Sequence, residues 1–103
     1  MEEVKQIIIL SNEIDNISDD TFTINEPIEL IDDNHLKTKK MIYIFDYLII
    51  TDITLVSNFK QTNILHEHGV PVTNCFYQTT YENIYYTSYS KIKEVLQNIY
   101  ENE

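Results

Sequence analysis

Short apolar runs punctuated by polar clusters dominate the chain, and only its last stretch carries a clean helical period. Val4 to Leu10 is a β-branched run ending at Ser11-Asn12, which predicts a buried first strand. Residues 12–20 are polar apart from Ile14 and Ile17, spaced for one helical turn or a packed loop. From Thr21 to Asn25, Phe22 and Ile24 alternate with polar residues, the period of a half-buried strand. Pro27 interrupts, and Ile28 to Ile31 reads as a short edge strand or turn. Residues 32–40 form the most loop-like stretch. Met41 to Phe45 is a short element that Asp46 separates from a central strand, Tyr47 to Thr51.

The second half predicts alternating helices and strands. A helix over 53–68, capped by Thr51 or Asp52, would put Ile53, Leu55, Val56, Phe59 and Ile64 on one half of its wheel and Leu65 outside it. Gly69 followed by Pro71 is a helix stop signal. Val70 to Phe76 and Tyr81 to Ser88 read as strands. Over 90–101, Ile92, Val95, Leu96 and Ile99 recur at helical spacing, with Ser88 or Ser90 as cap. The expected fold is α/β, a single domain over 1–103. It is a small two-layer or three-layer structure whose sheet has about four to five partly parallel strands, covered by two main helices, 53–68 and 90–101.

Composition narrows the function classes. The 103 residues include no Arg, Ala or Trp and one glycine, Gly69. Without Arg there is no bidentate fork for phosphate, and with one glycine there is no backbone loop to cradle one. The bias toward Ile, Asn and Tyr is that of an AT-rich coding sequence, as in a low-GC bacterium or its phage. The apolar runs are far short of the roughly 20 residues of a membrane helix. No secretory signal is visible and Cys75 has no internal disulfide partner, so a cytoplasmic location is expected.

Charge is distributed unevenly. The formal net charge is −10, and residues 1–34 hold ten acids (Glu2, Glu3, Glu13, Asp15, Asp19, Asp20, Glu26, Glu29, Asp32 and Asp33) against Lys5 alone. Such a field repels nucleic acid and attracts basic surfaces.

The candidate chemistry is thin. Ile50-Thr51-Asp52-Ile53-Thr54-Leu55 resembles the first motif of haloacid-dehalogenase-type phosphatases, but Ile50 stands where the nucleophilic Asp belongs and cannot form an acyl phosphate. His66, His68 and Cys75, with His35, are the conceivable transition-metal set, yet His-x-His spacing does not present one helical face. Cys75 beside Phe76 reads as a small buried hydrophobe. Asp15 to Asp20 lacks the glycine and alternating ligands of a calcium loop. No catalytic, cofactor or metal residue is therefore assigned.

Residues 47–88 resemble the second half of the NAD-binding domain of precorrin-2 dehydrogenase, the siroheme-synthase type. Tyr47 to Asp52, Val56 to Asn58, Gly69 to Asn74 and Ile84 to Ser88 can be laid on that pattern. The family's Gly-rich loop would precede Met1, and its catalytic acid falls near Phe76 and Tyr77, where there is none. The resemblance implies a Rossmann-like half-fold without dehydrogenase activity.

The expected function is that of a non-enzymatic acidic interaction protein, an inhibitor or immunity-type factor, bound to a protein partner with a basic surface. Asp15, Asp19, Asp20, Asp32 and Asp33 would supply charge, and Tyr81, Tyr85 and Tyr89 amphipathic contact area. Read as one strand, the tyrosine segment puts Tyr81, Asn83, Tyr85 and Thr87 on one face and Ile84 and Tyr86 on the other. Direct nucleic-acid and membrane binding are not expected. One alternative is a degenerate Rossmann-like domain with a small-molecule pocket near Thr51, Asp52, Asn74 and Cys75. Another is a homo-oligomeric structural subunit whose tyrosine strand pairs with its own copy.

Overall fold

A computed structural model describes residues 6–13 and 21–101. Strands β1 (Ile7–Leu10), β2 (Thr21–Ile24), β6 (Tyr47–Ile50) and β9 (Ile84–Tyr86) form an all-parallel four-stranded sheet in the order β2-β1-β6-β9. The two central strands are buried on both faces, and every residue of β1 is buried. That accounts for the unbroken runs Ile7 to Leu10 and Leu48 to Ile50, since a two-sided strand has no polar side to alternate with.

The side chains divide by parity between two cores. Ile8, Leu10, Leu48, Ile50 and Ile84 face one core; Ile7, Ile9, Ile49 and Tyr85 face the other. The second core is closed by α1 (Ile92–Glu101), whose Ile92, Val95, Leu96 and Ile99 are all buried, as the sequence period requires. A 3-10 turn, Tyr89–Lys91, leads into it, and Ser88 caps that turn without a side-chain bond.

The first core is closed by something other than a helix. Strands β3 (Glu29–Leu30), β4 (His35–Lys37) and β5 (Ile42–Ile44) make a small antiparallel sheet in chain order. Leu30, Leu36 and Phe45 face inward from it. The stretch read as most loop-like thus contains a strand, centred on the fully buried Leu36.

The helix expected over 53–68 does not form. In its place are two 3-10 turns, Ile53–Leu55 and Phe59–Gln61, followed by a hairpin of β7 (His66–Glu67) and β8 (Val70–Pro71). The reason is tertiary. Ile28 N–H donates to Leu55 C=O (2.8 Å) and Ser57 N–H donates to Ile28 C=O (2.8 Å), so this backbone pairs sideways instead of with its own next turn. Thr54, Val56, Thr62 and Ile64 are β-branched and resist that pairing little, because their helix propensity is low. The apolar positions still point inward: Leu55, Val56, Phe59 and Ile64 are buried, and Leu65 is exposed. Asp52 does act as a cap, accepting from the Thr54 N–H at 3.0 Å, but of a single 3-10 turn.

Two further strands are shorter than expected. Gly69 (φ 81°) does not stop a helix; with His68 (φ 53°) it fills the two-residue turn of the β7–β8 hairpin. Positive φ at both central positions is the geometry that matches strand twist, and glycine takes it without strain. Only Val70–Pro71 of the predicted 70–76 strand survives. Residues 73–77 turn back, and Cys75 is exposed where a buried site was expected. Asn74 holds that turn by accepting from the N–H groups of Phe76 (2.9 Å) and Gln78 (3.1 Å). The predicted 81–88 strand contracts to Ile84–Tyr86. No helix among the described residues is long and apolar enough to cross a membrane.

Candidate interaction surface

Among the described residues, the acids of the first third do not share one face. Asp15, Asp19 and Asp20 lie outside the described residues. Asp32 and Asp33 sit in the turn between β3 and β4, at the amino-terminal edge of the parallel sheet. Glu13 and Asp52 lie at its opposite, carboxyl edge, following β1 and β6.

At the amino-terminal edge one residue gathers three loops. The side-chain amide of Asn83 donates to the main-chain carbonyls of Asp33 (2.6 Å) and Asp46 (3.1 Å). The main-chain carbonyl of Asn83 accepts from the Leu48 N–H at 2.9 Å, where β9 enters the sheet. The Asp46 carboxylate in turn accepts from the Gln6 N–H (3.0 Å). Asp32, Asp33, Asp46 and Glu82, all exposed, are thereby brought to one end of the domain. Asp32 is the most constrained of them. Its carboxylate accepts from the Asn34 N–H (2.9 Å) and meets His35 Nδ1 at 2.8 Å, and these bonds hold its pKa below the ordinary 3.8.

A groove of about 480 Å³ opens beside these acids, between the sheet and α1. Tyr47, Phe76, Glu82, Tyr85 and Asn98 are among its walls. Phe76 is half exposed there, so the groove offers an aromatic contact next to carboxylates.

The tyrosines behave differently from the single-strand reading. Tyr85 is buried at 5% exposure and belongs to the helix-side core, so it forms a groove wall and not an exposed anchor. Burial raises its phenol pKa above 10. Tyr81 precedes the strand and packs against the opposite core, together with Ile84 and Tyr86. Tyr89 packs on the helix-side core from the 3-10 turn. Alternation fails because residues 81–83 are a turn, which breaks the period-2 register. The outer edge of β9 is also occupied. Ile84 C=O accepts from Thr79 N–H (2.8 Å), Ile84 N–H donates to Tyr81 C=O (3.1 Å) and Tyr86 N–H donates to Tyr77 C=O (3.0 Å). Those groups are not available to pair with a second copy.

The carboxyl edge carries the switch point of the sheet, between β1 and β6, where open α/β sheets bind ligands. Here Asp52 is engaged by its neighbours: Asn12 donates to it, and the Thr54 hydroxyl donates to it at 2.6 Å. Asn74 and Cys75 lie in the Asn74–Gln78 turn, and no hydrogen bond among the described residues joins them to Thr51 or Asp52. Among the described residues no group of three or more His, Cys, Asp or Glu side chains is placed to hold a metal ion. His66 is exposed, with its ring tilted on Phe59 at 5.1 Å.

Asp46, Glu82, Asn83 and Phe76 were not singled out by the sequence. No periodic or motif signal marks them, since their meeting depends on contacts as far apart as 50 positions along the chain. Comparison with protein-family models, with curated proteins and with solved structures finds no match to this chain.

Proposed function

We propose that this chain is a non-enzymatic protein-binding domain, an inhibitor or immunity-type factor that covers a basic surface on its partner. The observation that supports this reading is the joining of two acidic turns and the start of β9 by Asn83, beside an aromatic-lined groove. Fixed backbone under exposed carboxylates reduces the ordering cost of binding, and the half-exposed Phe76 adds desolvated contact area. The net charge of −10 steers basic partners toward the domain.

The test is capture on the tagged protein from its host lysate at low salt, followed by titration of the purified partner. Charge reversal at Asp33 and Glu82 should weaken binding by roughly tenfold or more, and affinity should fall as salt is raised. A partner whose affinity responds to neither change would overturn this reading.

A further inference from the structure

β5 is the outer strand of the antiparallel sheet, and no described strand pairs with its far side. The bonds from Thr38 N–H to Met41 C=O (2.9 Å) and from Phe45 N–H to Asn34 C=O (2.9 Å) set the alternation of the β4–β5 ladder. In that alternation the N–H and C=O of Tyr43 face β4, and those of Ile42 and Ile44 point away from the sheet. Neither Ile42 nor Ile44 has a hydrogen-bond partner among the described residues. Their side chains are exposed at 60% and 59%, and Met41 beside them at 54%. Natural edges are usually blunted by Pro, a bulge or a charge within the strand, and Ile42–Ile44 has none of these.

We propose that β5 pairs antiparallel with β5 of a second copy of this chain, about a two-fold axis at Tyr43. This register uses every outward N–H and C=O of Ile42 and Ile44, and sets Ile42 of each copy against Ile44 of the other. Charge singles out a second copy as the occupant. The segment Lys40-Met41-Ile42-Tyr43-Ile44-Phe45-Asp46 carries a cation at one end and an anion at the other. Antiparallel reversal about Tyr43 therefore brings Lys40 of each copy opposite Asp46 of the other, with Lys39 adjacent. Asp46 is exposed and so are both lysines. A strand of uniform charge would be attracted at one end and repelled at the other. The contact is isologous and closes on itself, so it ends at the dimer. It joins the two small sheets into one, engages Asp46, and leaves the groove walled by Phe76, Glu82 and Tyr85 beside α1 uncovered.

Sedimentation equilibrium of the full chain over a concentration series reads the association. It belongs near physiological salt, where a Debye length of about 8 Å screens the mutual repulsion of two acidic chains. The mass should rise from 12.2 kDa toward twice that value. Ile42→Lys should abolish the rise. So should Ile44→Pro, which removes an N–H that has no partner among the described residues; circular dichroism shows whether each variant keeps its fold.

The register is read by two charge variants outside β5, each checked for its fold by circular dichroism, since the Asp46 carboxylate also accepts from the Gln6 N–H. Lys40→Glu and Asp46→Lys should each associate roughly tenfold more weakly than the parent, because each sets like charges opposite one another. Mixed together they should form a heterodimer, in which both end pairs are again attractive. A parent chain that stays monomeric at millimolar concentration overturns the proposal. So does a dimer that Ile42→Lys and Ile44→Pro leave unchanged, or a mixture of the charge variants with no preference for the heterodimer.

Discussion

Asn58 brackets Leu30 with a pair of side-chain bonds: its amide oxygen accepts from the Leu30 N–H at 2.9 Å, and its NH₂ donates to the Leu30 C=O at 2.8 Å. An extended backbone residue is thus paired by a side chain 28 positions away, in the manner of a neighbouring strand. Together with the Ile28–Val56 bridge it ties the small sheet to the 3-10 segment over the first core.

Breaking this bracket should cost stability. Asn58→Ala leaves the Leu30 N–H and C=O without partners, and an unsatisfied pair of this kind costs about 1–3 kcal/mol. For a domain of this size each kcal/mol lowers the melting temperature by roughly 4–8 °C. Asn58→Asp keeps the acceptor but loses the donor, so its loss should be smaller. Equal melting temperatures for parent and Asn58→Ala in a thermal scan would show that the bracket contributes nothing.

Acid should weaken the β3–β4 turn through Asp32. The folded pKa of this carboxyl lies below 3.8, held down by the Asn34 N–H and by His35. A depressed folded pKa means that the ionised form favours folding. The stability it contributes is present above 3.8 and is lost as pH falls through the lowered value. Asp32→Asn removes that contribution, so its stability difference from the parent should shrink as pH is lowered toward that window. Denaturant melts at a series of acidic pH values measure it.

Alkali should act through tyrosines. Tyr85 is raised above 10 first by burial, and Tyr77 first by its hydrogen bond to Glu94. Raised folded values mean that the neutral phenols favour folding. Their contribution is full below 10 and is lost as pH rises through the folded pKa values. Ultraviolet titration of Glu94→Gln should show one phenol, Tyr77, ionising at lower pH than in the parent. An unchanged titration curve would rule out the Tyr77–Glu94 bond as the cause.

Cys75 should react as a free surface thiol. It lies exposed in the Asn74–Gln78 turn. A chromogenic disulfide reagent should label one thiol per chain under native conditions, without denaturant. Labelling that requires unfolding would mean that this turn is packed and not open.

The sequence by itself determined the parts of this protein whose signals are periodic. Unbroken apolar runs at Ile7 to Leu10 and Tyr47 to Ile50 called for a buried first strand and a central strand, and both are central in the sheet. The spacing of Ile92, Val95, Leu96 and Ile99 called for a helix with one buried face, which α1 is. Over 53–64 the wheel groups Leu55, Val56, Phe59 and Ile64, which are buried, although their backbone is not α-helical. Tertiary structure alone decided that backbone, because its Leu55 C=O and Ser57 N–H found partners at Ile28, 27 and 29 positions earlier in the chain. It likewise decided the gathering of Asp33, Asp46 and Glu82 around Asn83. A single side-chain hydrogen bond across 50 positions leaves no repeat along the chain, whereas burial of one face leaves one at every turn or every second residue.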